Sequence, residues 1–215
     1  MNTTIIRRSH SERAAHVSPL FGARRLATSG SNFRLLFFLL ALSLAGICSP
    51  AQEAHPTEFQ VKAAYLYNFG KFVRWQVGRS ASSDSVDICV LGKDPFGAIL
   101  DATVAGESID ARKIAVKRIS RAQDAAPCNI LFVSSSEENR LDAVLATVRH
   151  FGSLTVSDIP HFAERGGVIE FVMQQGKIRF EVNREAGERS HLVLSSELLK
   201  VAIKVIDKAA PQGQP

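Results

Sequence analysis

Two adjacent segments of the chain show opposite patterns of apolar and polar positions, and together they predict a β-hairpin. Residues 168–173 are almost all apolar, which is typical of a strand buried on both faces. Ile178, Phe180 and Val182 instead alternate with charged residues, as in a strand with one face in water. Residues 174–176 end in glycine and supply the tight turn between the two strands.

A polar loop precedes this hairpin. Asp158, Ile159 and Pro160 end a strand predicted over residues 151–156, and two glycines at 166 and 167 allow the backbone to re-enter the sheet. Residues 161–165 are therefore expected at one end of the sheet, where loops on a rigid scaffold present binding side chains.

Predicted strands and helices alternate through most of the chain. Further strands are expected over residues 86–91, 113–119 and 129–134, each an apolar or alternating run. Residue types that cap helix N-termini precede four runs with helical spacing of apolar positions: Thr57 (in a capping box with Gln60), Asp94, Ser136, and either Ser195 or Ser196. The pattern predicts an α/β fold: a single three-layer domain with a mostly parallel sheet flanked by helices and a late antiparallel β-hairpin.

The first and last predicted helices each have an apolar face. In the first, apolar residues including Phe59 and Phe69 recur at helical spacing, with Tyr65 and Trp75 nearby. This spacing favours packing against the core, and an aromatic surface for a ligand or partner is the alternative. The last helix is predicted to continue as far as Ile206.

The N-terminal segment has the features of a secretory leader. Residues 1–34 form a basic n-region, and residues 35–47 form an apolar h-region. Small residues follow as far as Ala51, and we predict that signal peptidase cleaves after Ala51. A retained N-terminal anchor is the alternative. We therefore expect a signal peptide over residues 1–51, a folded domain over 57–207, a disordered tail over 208–215, and a periplasmic location.

Removal of this leader changes the charge of the protein. Lys and Arg fall from 26 to 20 and Asp and Glu from 21 to 20, so the mature chain is close to neutral. The main argument for a nucleic-acid partner is therefore lost, because phosphate binding requires a basic face on the mature protein.

Two cysteines, Cys89 and Cys128, remain beyond the leader, and each lies in or beside a predicted strand. An even count in an oxidising compartment favours a disulfide, whereas two buried thiols that never meet are the alternative. No further ligands stand at metal-binding spacing, so we expect neither a metal nor another cofactor.

The loop before the hairpin also admits an enzymatic interpretation. Asp158, His161, Glu164 and Arg165 lie close together in sequence and include a general base and an electrostatic clamp for a hydrolase. The simpler interpretation is that Asp158 caps the turn, Glu164 and Arg165 pair with each other or bond to the backbone, and His161 is solvated. Because no nucleophile, base and orienting group stand together, we expect a protein that is not an enzyme.

Several short segments, in order along the chain, resemble the YfiR-like family of secreted bacterial proteins. They are residues 61–69 (VKAAYLYNF) with Lys71, Phe72, Val73 and Trp75, residues 89–92 (CVLG), 94–97 (DPFG), 128–134 (CNILFVS), 154–159 (LTVSDI), 162–167 (FAERGG), 179–183 (RFEVN) and 194–199 (LSSELL). Together these segments extend over nearly the whole predicted domain.

This resemblance implies a periplasmic α/β domain that acts by binding. It implies repression of an inner-membrane diguanylate cyclase through the cyclase's periplasmic sensor domain, which lowers cyclic-di-GMP and regulates biofilm formation. It also implies sequestration by an outer-membrane lipoprotein, and a homodimer. The family's cysteine pair corresponds to Cys89 and Cys128, whereas the second pair that some members carry near residues 162–167 is absent here.

For contacts with the membrane partner we predict Phe162, Glu164 and Arg165. An exposed aromatic beside a charged pair has the composition of an interface core and rim. A periplasmic small-ligand sensor for another membrane signalling protein, using the aromatic residues near Tyr65 and Trp75, is the alternative function.

Overall fold

The computed structural model describes residues 56–75 and 85–207. Helix α1, Glu58–Phe72, begins with the predicted capping box. The Thr57 hydroxyl accepts the Gln60 N–H at 3.3 Å, and the Gln60 side chain accepts the Thr57 N–H at 2.7 Å. Each bond satisfies a backbone donor that the first helical turn leaves without a partner. The helix ends where Val73 becomes extended and opens strand β1, Val73–Trp75.

The remaining elements are strands and short helices. In chain order they are β2 Ser85–Leu91, α2 Ala98–Val104, β3 Ser108–Ile109, β4 Arg112–Ile119, β5 Ile130–Val133, α3 Leu141–Val148, β6 Leu154–Ser157, β7 Ile169–Gln174, β8 Lys177–Asn183, α4 Arg184–Arg189, β9 Leu192–Leu194, α5 Ser196–Val201 and β10 Lys204–Ile206. Short 3-10 helices, Ala122–Ala125 and Ser135–Arg140, precede β5 and α3.

Eight strands form one sheet in the order β10-β8-β7-β6-β5-β2-β4-β3. Neighbours from β4 through β2, β5 and β6 to β7 are parallel, and β7 pairs antiparallel with β8 in the predicted hairpin. Gln175 and Gly176 form its turn with positive φ angles of 50° and 71°, as a two-residue hairpin turn requires. The predicted α/β class, mostly parallel sheet and late hairpin are confirmed.

The sheet lies between two apolar layers because successive strand residues point to opposite faces. On β2, Ile88 and Val90 face one core together with side chains of α1 and α2. Cys89 and Leu91 face the other core together with the apolar side of α3. Burying each of the large aliphatic side chains stabilises the fold by about 1.5 to 3 kcal/mol before conformational entropy is subtracted.

Cys89 and Cys128 form a disulfide in the core beneath α3. Both residues have no exposed surface, and their Cα atoms lie 5.8 Å apart. Of the two alternatives for these cysteines, the structure contains the disulfide and not a pair of separate thiols.

Two predicted helix starts are wrong in detail. Asp94 accepts the Phe96 N–H at 2.8 Å and forms a local turn, so α2 begins only after Gly97. Ser134, not Ser136, caps the helical segment that leads into α3. Asp94 thus satisfies a local turn instead of the helix, a competition typical of Asp. The Ser136 hydroxyl instead accepts the Lys93 N–H at 2.9 Å.

The predicted C-terminal helix is also too long. Ser195, one of the two predicted N-cap residues, caps this helix. However, α5 ends at Val201, and the chain continues as β10 beside β8. The Ile203 N–H donates to the Phe180 carbonyl at 3.0 Å, which marks the entry into the sheet. The open edge of β8 therefore overrides the helical spacing of Ala202, Ile203 and Ile206.

Two predictions lie outside the described residues, namely the signal peptide over residues 1–51 and the disordered tail over 208–215. Within the described ranges 56–75 and 85–207, no helix has the length and apolar character needed to span a membrane.

Candidate partner-binding site

The loop between β6 and β7 lies where the parallel strands end. Its first residues are fixed by Ser157, whose hydroxyl donates to the Val133 carbonyl at 2.7 Å and accepts the Ile159 N–H at 3.0 Å. The next residue, Asp158, accepts a hydrogen bond of 2.6 Å from the ammonium group of Lys62 on α1. Lys62 is itself buried and also pairs with Glu58, so the loop is attached to the first turns of α1.

The middle of the loop is held by two polar side chains of the hairpin. The carboxylate of Glu170 on β7 accepts the His161 N–H at 3.0 Å and the Ala163 N–H at 3.1 Å. Asn183 at the end of β8 donates its side-chain amide to the Ala163 carbonyl at 2.7 Å. Burial raises the pKa of Glu170, while the two backbone hydrogen bonds oppose that increase. The hairpin thus sets the conformation of the loop.

The prediction that Phe162 is an exposed aromatic contact is wrong. Phe162 has no exposed surface and packs with Ile159 and Leu141 in the core beneath α3. A Cβ atom on Gly167 would lie 2.0 Å from Cε1 of the Phe162 ring, so the glycine is required for this packing. The ring anchors the loop from inside, because an aromatic side chain has a lower free energy in the core than in water.

Glu164 remains at the surface, with a side chain 50% exposed. Its carboxylate lies 3.0 Å from His161 Nδ1 and accepts a hydrogen bond of 2.8 Å from Lys204 on β10. The Lys204 hydrogen bond is the main cause of a lowered pKa at Glu164, with a smaller contribution from His161. Lys204 is also within 3.4 Å of Glu181 on β8. The loop is therefore linked to both strands at this edge of the sheet.

Arg165 does not pair with Glu164. Its guanidinium donates to Oδ1 of Asp142 on α3, at 2.8 Å from Nη2 and 3.1 Å from Nε. The Asp142 side chain is 82% exposed, so this pair lies in water and contributes little to stability. We call His161, Glu164, Arg165, Lys204 and Asp142 the charged surface.

Lys204 and Asp142 are the members of the charged surface that no local sequence pattern predicts. They lie far from the loop in the chain, at separations of 40 residues from Glu164 and 23 from Arg165. Lys204 reaches the loop only because β10 pairs with β8, and Asp142 only because α3 packs beside the loop.

The four loop residues considered for an enzyme are divided between separate ion pairs. Asp158, one of these four residues, pairs with the buried Lys62. His161 is 74% exposed and its ring contacts Glu164, with no Ser or Cys nucleophile hydrogen-bonded to it among the described residues. No group of three or more His, Cys, Asp or Glu side chains in residues 56–75 and 85–207 is arranged to hold a metal ion.

The aromatic residues considered for a ligand site pack within the protein. Tyr65 stacks on Phe69, with ring centroids 5.6 Å apart, and also approaches Phe171 and Phe180. The Trp75 indole N–H donates to the Asn129 carbonyl at 3.2 Å, and its side chain is buried. The core-packing interpretation of the first helix is confirmed for these residues.

Comparisons with known proteins identify a family. A family model described as YfiR/HmsC-like matches residues 59–203. No curated protein matches the sequence.

Solved structures give only distant likenesses. The crystal structure of a conserved domain protein from Vibrio cholerae O1 biovar El Tor str. N16961 has a TM-score of 0.47 at 9% identity, over 66% of this chain and 59% of that chain. The ABC domain in complex with L-Trp from Streptococcus pneumonia has a TM-score of 0.42 at 12% identity, over 56% of this chain and 55% of that one. The chain thus spans less than two thirds of either structure, and neither likeness carries an argument about function.

Proposed function

The chain belongs to the YfiR/HmsC-like family, and from this we propose that it is a periplasmic regulatory protein that represses an inner-membrane diguanylate cyclase. It binds the periplasmic sensor domain of the cyclase and so lowers the cellular concentration of cyclic-di-GMP. The family is one of regulators and not of enzymes, which supports a function by binding. An outer-membrane lipoprotein that sequesters the protein, and a homodimer, are further partners in this proposal.

The observation that carries the proposal is the charged surface on a fixed loop. Glu164 and Arg165 project from a backbone held by Glu170 and Asn183 and anchored by Phe162. A loop already fixed in one conformation loses little entropy when a partner binds. Opposite charges side by side also suit recognition of a partner with the complementary order of charges.

The disulfide supports the proposed location. Cys89 and Cys128 are joined in the core, and such bonds persist in oxidising compartments such as the bacterial periplasm. The leader predicted over residues 1–51 would carry the chain there.

Binding to the purified periplasmic domain of the cyclase tests the proposal. We expect Glu164→Ala combined with Arg165→Ala to weaken binding by about tenfold to a hundredfold, a loss of about 1.4 to 2.8 kcal/mol. The matched control is Glu188→Ala combined with Arg184→Ala, which removes an exposed Glu and Arg pair from α4. Undiminished binding by the first variant, with its fold verified by circular dichroism, would contradict the proposed contact.

A further inference from the structure

Strand β4 has a strand neighbour along only one side for most of its length. It pairs with β2 from Lys113 to Ile119. On its other side, β3 covers only Arg112 and Lys113. Within residues 56–75 and 85–207, the segment from Ile114 to Ile119 is therefore an open sheet edge.

The direction of the backbone groups along this edge follows from one hydrogen bond. The Gly92 N–H donates to the Ile119 carbonyl at 3.1 Å, so the backbone of Ile119 faces β2. Because successive residues of a strand direct their N–H and C=O groups to opposite sides, those of Ile114, Val116 and Arg118 face outward. They match the hydrogen-bonding pattern of an added strand.

The two faces of β4 differ in chemistry. Ile114 and Val116 are only partly buried and pack against the core shared with α1 and α2. On the opposite face, Lys113 and Lys117 are exposed on either side of Ala115. Lys117 pairs with Asp87 at 2.5 Å, whereas no carboxylate within the described ranges forms an ion pair with Lys113.

We propose that this edge binds an extended segment of a partner protein by β-strand addition. The segment alternates apolar side chains, which lie beside Ile114 and Val116, with acidic side chains, which lie beside Lys113 and Lys117. Backbone hydrogen bonds supply affinity, and the alternation supplies selectivity. This surface is separate from the charged surface, so it does not depend on the proposed contact at Glu164 and Arg165.

A second copy of the chain fits this edge poorly. Antiparallel pairing of two β4 strands centred on Val116 would place Lys117 of one copy diagonal to Lys113 and Lys117 of the other, on the same face. Lysine on an open edge is a common means of preventing self-association. The same charges that oppose a second copy favour an acidic segment.

The test uses a fluorescent synthetic peptide of alternating valine and glutamate, with a matched peptide in which lysine replaces glutamate. We expect the acidic peptide to bind the purified protein and the lysine peptide to bind at least tenfold more weakly. Val116→Pro removes one outward N–H without breaking a bond to β2, so it should weaken acidic-peptide binding by about tenfold. Val116→Ala keeps that N–H and is the matched control.

Lys113→Glu is a second variant that tests the proposal if Val116→Pro does not fold. It leaves the backbone unchanged and should weaken binding of the acidic peptide while strengthening that of the lysine peptide. Equal binding of the two peptides, or unchanged binding of the acidic peptide to Val116→Pro and to Lys113→Glu, would overturn the proposal. A dimer in sedimentation equilibrium that Val116→Pro dissociates would also overturn it, in favour of a second copy.

Discussion

The Glu170 carboxylate accepts the backbone N–H of His161 at 3.0 Å, so a buried side chain of β7 positions the loop that precedes the strand. His161 has a positive φ of 61°, a conformation that costs free energy for a residue with a Cβ atom. The hydrogen bond to Glu170 offsets part of that cost. The conformation of the proposed contact loop is therefore coupled to the hairpin.

Truncating Glu170 should destabilise the protein. Glu170→Ala leaves the His161 and Ala163 N–H groups without their acceptor, and such a loss costs about 1 to 3 kcal/mol per buried donor. Glu170→Gln keeps one acceptor oxygen and should cost less. The free energy of unfolding in urea measures both, with Glu188→Ala on the surface of α4 as control. Equal stability of Glu170→Ala and the wild type would show that these bonds contribute nothing.

The pH dependence of stability should differ in sign between Glu170 and Glu164. Burial raises the pKa of Glu170 above its ordinary 4.5, so its stabilising contribution is complete below 4.5 and is lost as pH rises through the folded-state pKa. Lys204 and His161 lower the pKa of Glu164, so its contribution is present above 4.5 and is lost as pH falls through the folded-state pKa.

Urea unfolding of the wild type, Glu170→Gln and Glu164→Gln from about pH 4 to pH 8 measures this difference. We expect the deficit of Glu170→Gln to shrink with rising pH and that of Glu164→Gln to grow. Parallel profiles for the two variants would contradict these assignments.

A side chain at position 167 should disrupt the anchor of the loop. The added Cβ of Gly167→Ala would lie 2.0 Å from the Phe162 ring, and overpacking of this kind typically costs about 1 to 3 kcal/mol. Phe162→Leu alone should also destabilise, by leaving space in the core beneath α3. The double variant should be more stable than the sum of the two losses predicts, because the smaller side chain makes room for the Cβ. Simple additivity in urea unfolding would indicate that the two positions do not interact.

Loss of the disulfide should lower stability substantially. The bond closes a loop with a sequence separation of 39, for which the chain-entropy model gives about 4 kcal/mol. Unfolding of the Cys89→Ala, Cys128→Ala double variant measures the effect. Because both cysteines are fully buried, dithiothreitol should reduce the native bond only as fast as the core opens. Rapid reduction under native conditions, without loss of structure, would contradict the burial of this disulfide in the core.

The sequence predicts most of the fold because the patterns of β2, β5, β7 and β8 are strong and local. Each is a run of apolar residues or a strict alternation, and the turn at Gly176 fixes the register of the hairpin. The end of α5 could not be predicted in the same way. Whether Lys204–Ile206 continues a helix or joins the sheet depends on the edge of β8, which local spacing does not encode.

The candidate site was predicted less completely than the fold. The position of the loop after β6 follows from the turn residues at its ends, but the orientation of each side chain does not. Phe162 is buried because Gly167 leaves space for its ring, and that contact is tertiary. The ion pairs of Glu164 with Lys204 and of Arg165 with Asp142 likewise depend on elements distant in sequence.

The most direct test of the proposed repression is the cellular concentration of cyclic-di-GMP in a strain that lacks this gene. We expect a rise on deletion, a return to the original level when the wild-type protein is secreted, and a failure of Glu164→Ala combined with Arg165→Ala to restore it. The control variant Arg184→Ala with Glu188→Ala should restore it fully. An unchanged cyclic-di-GMP concentration after deletion would contradict repression of a diguanylate cyclase.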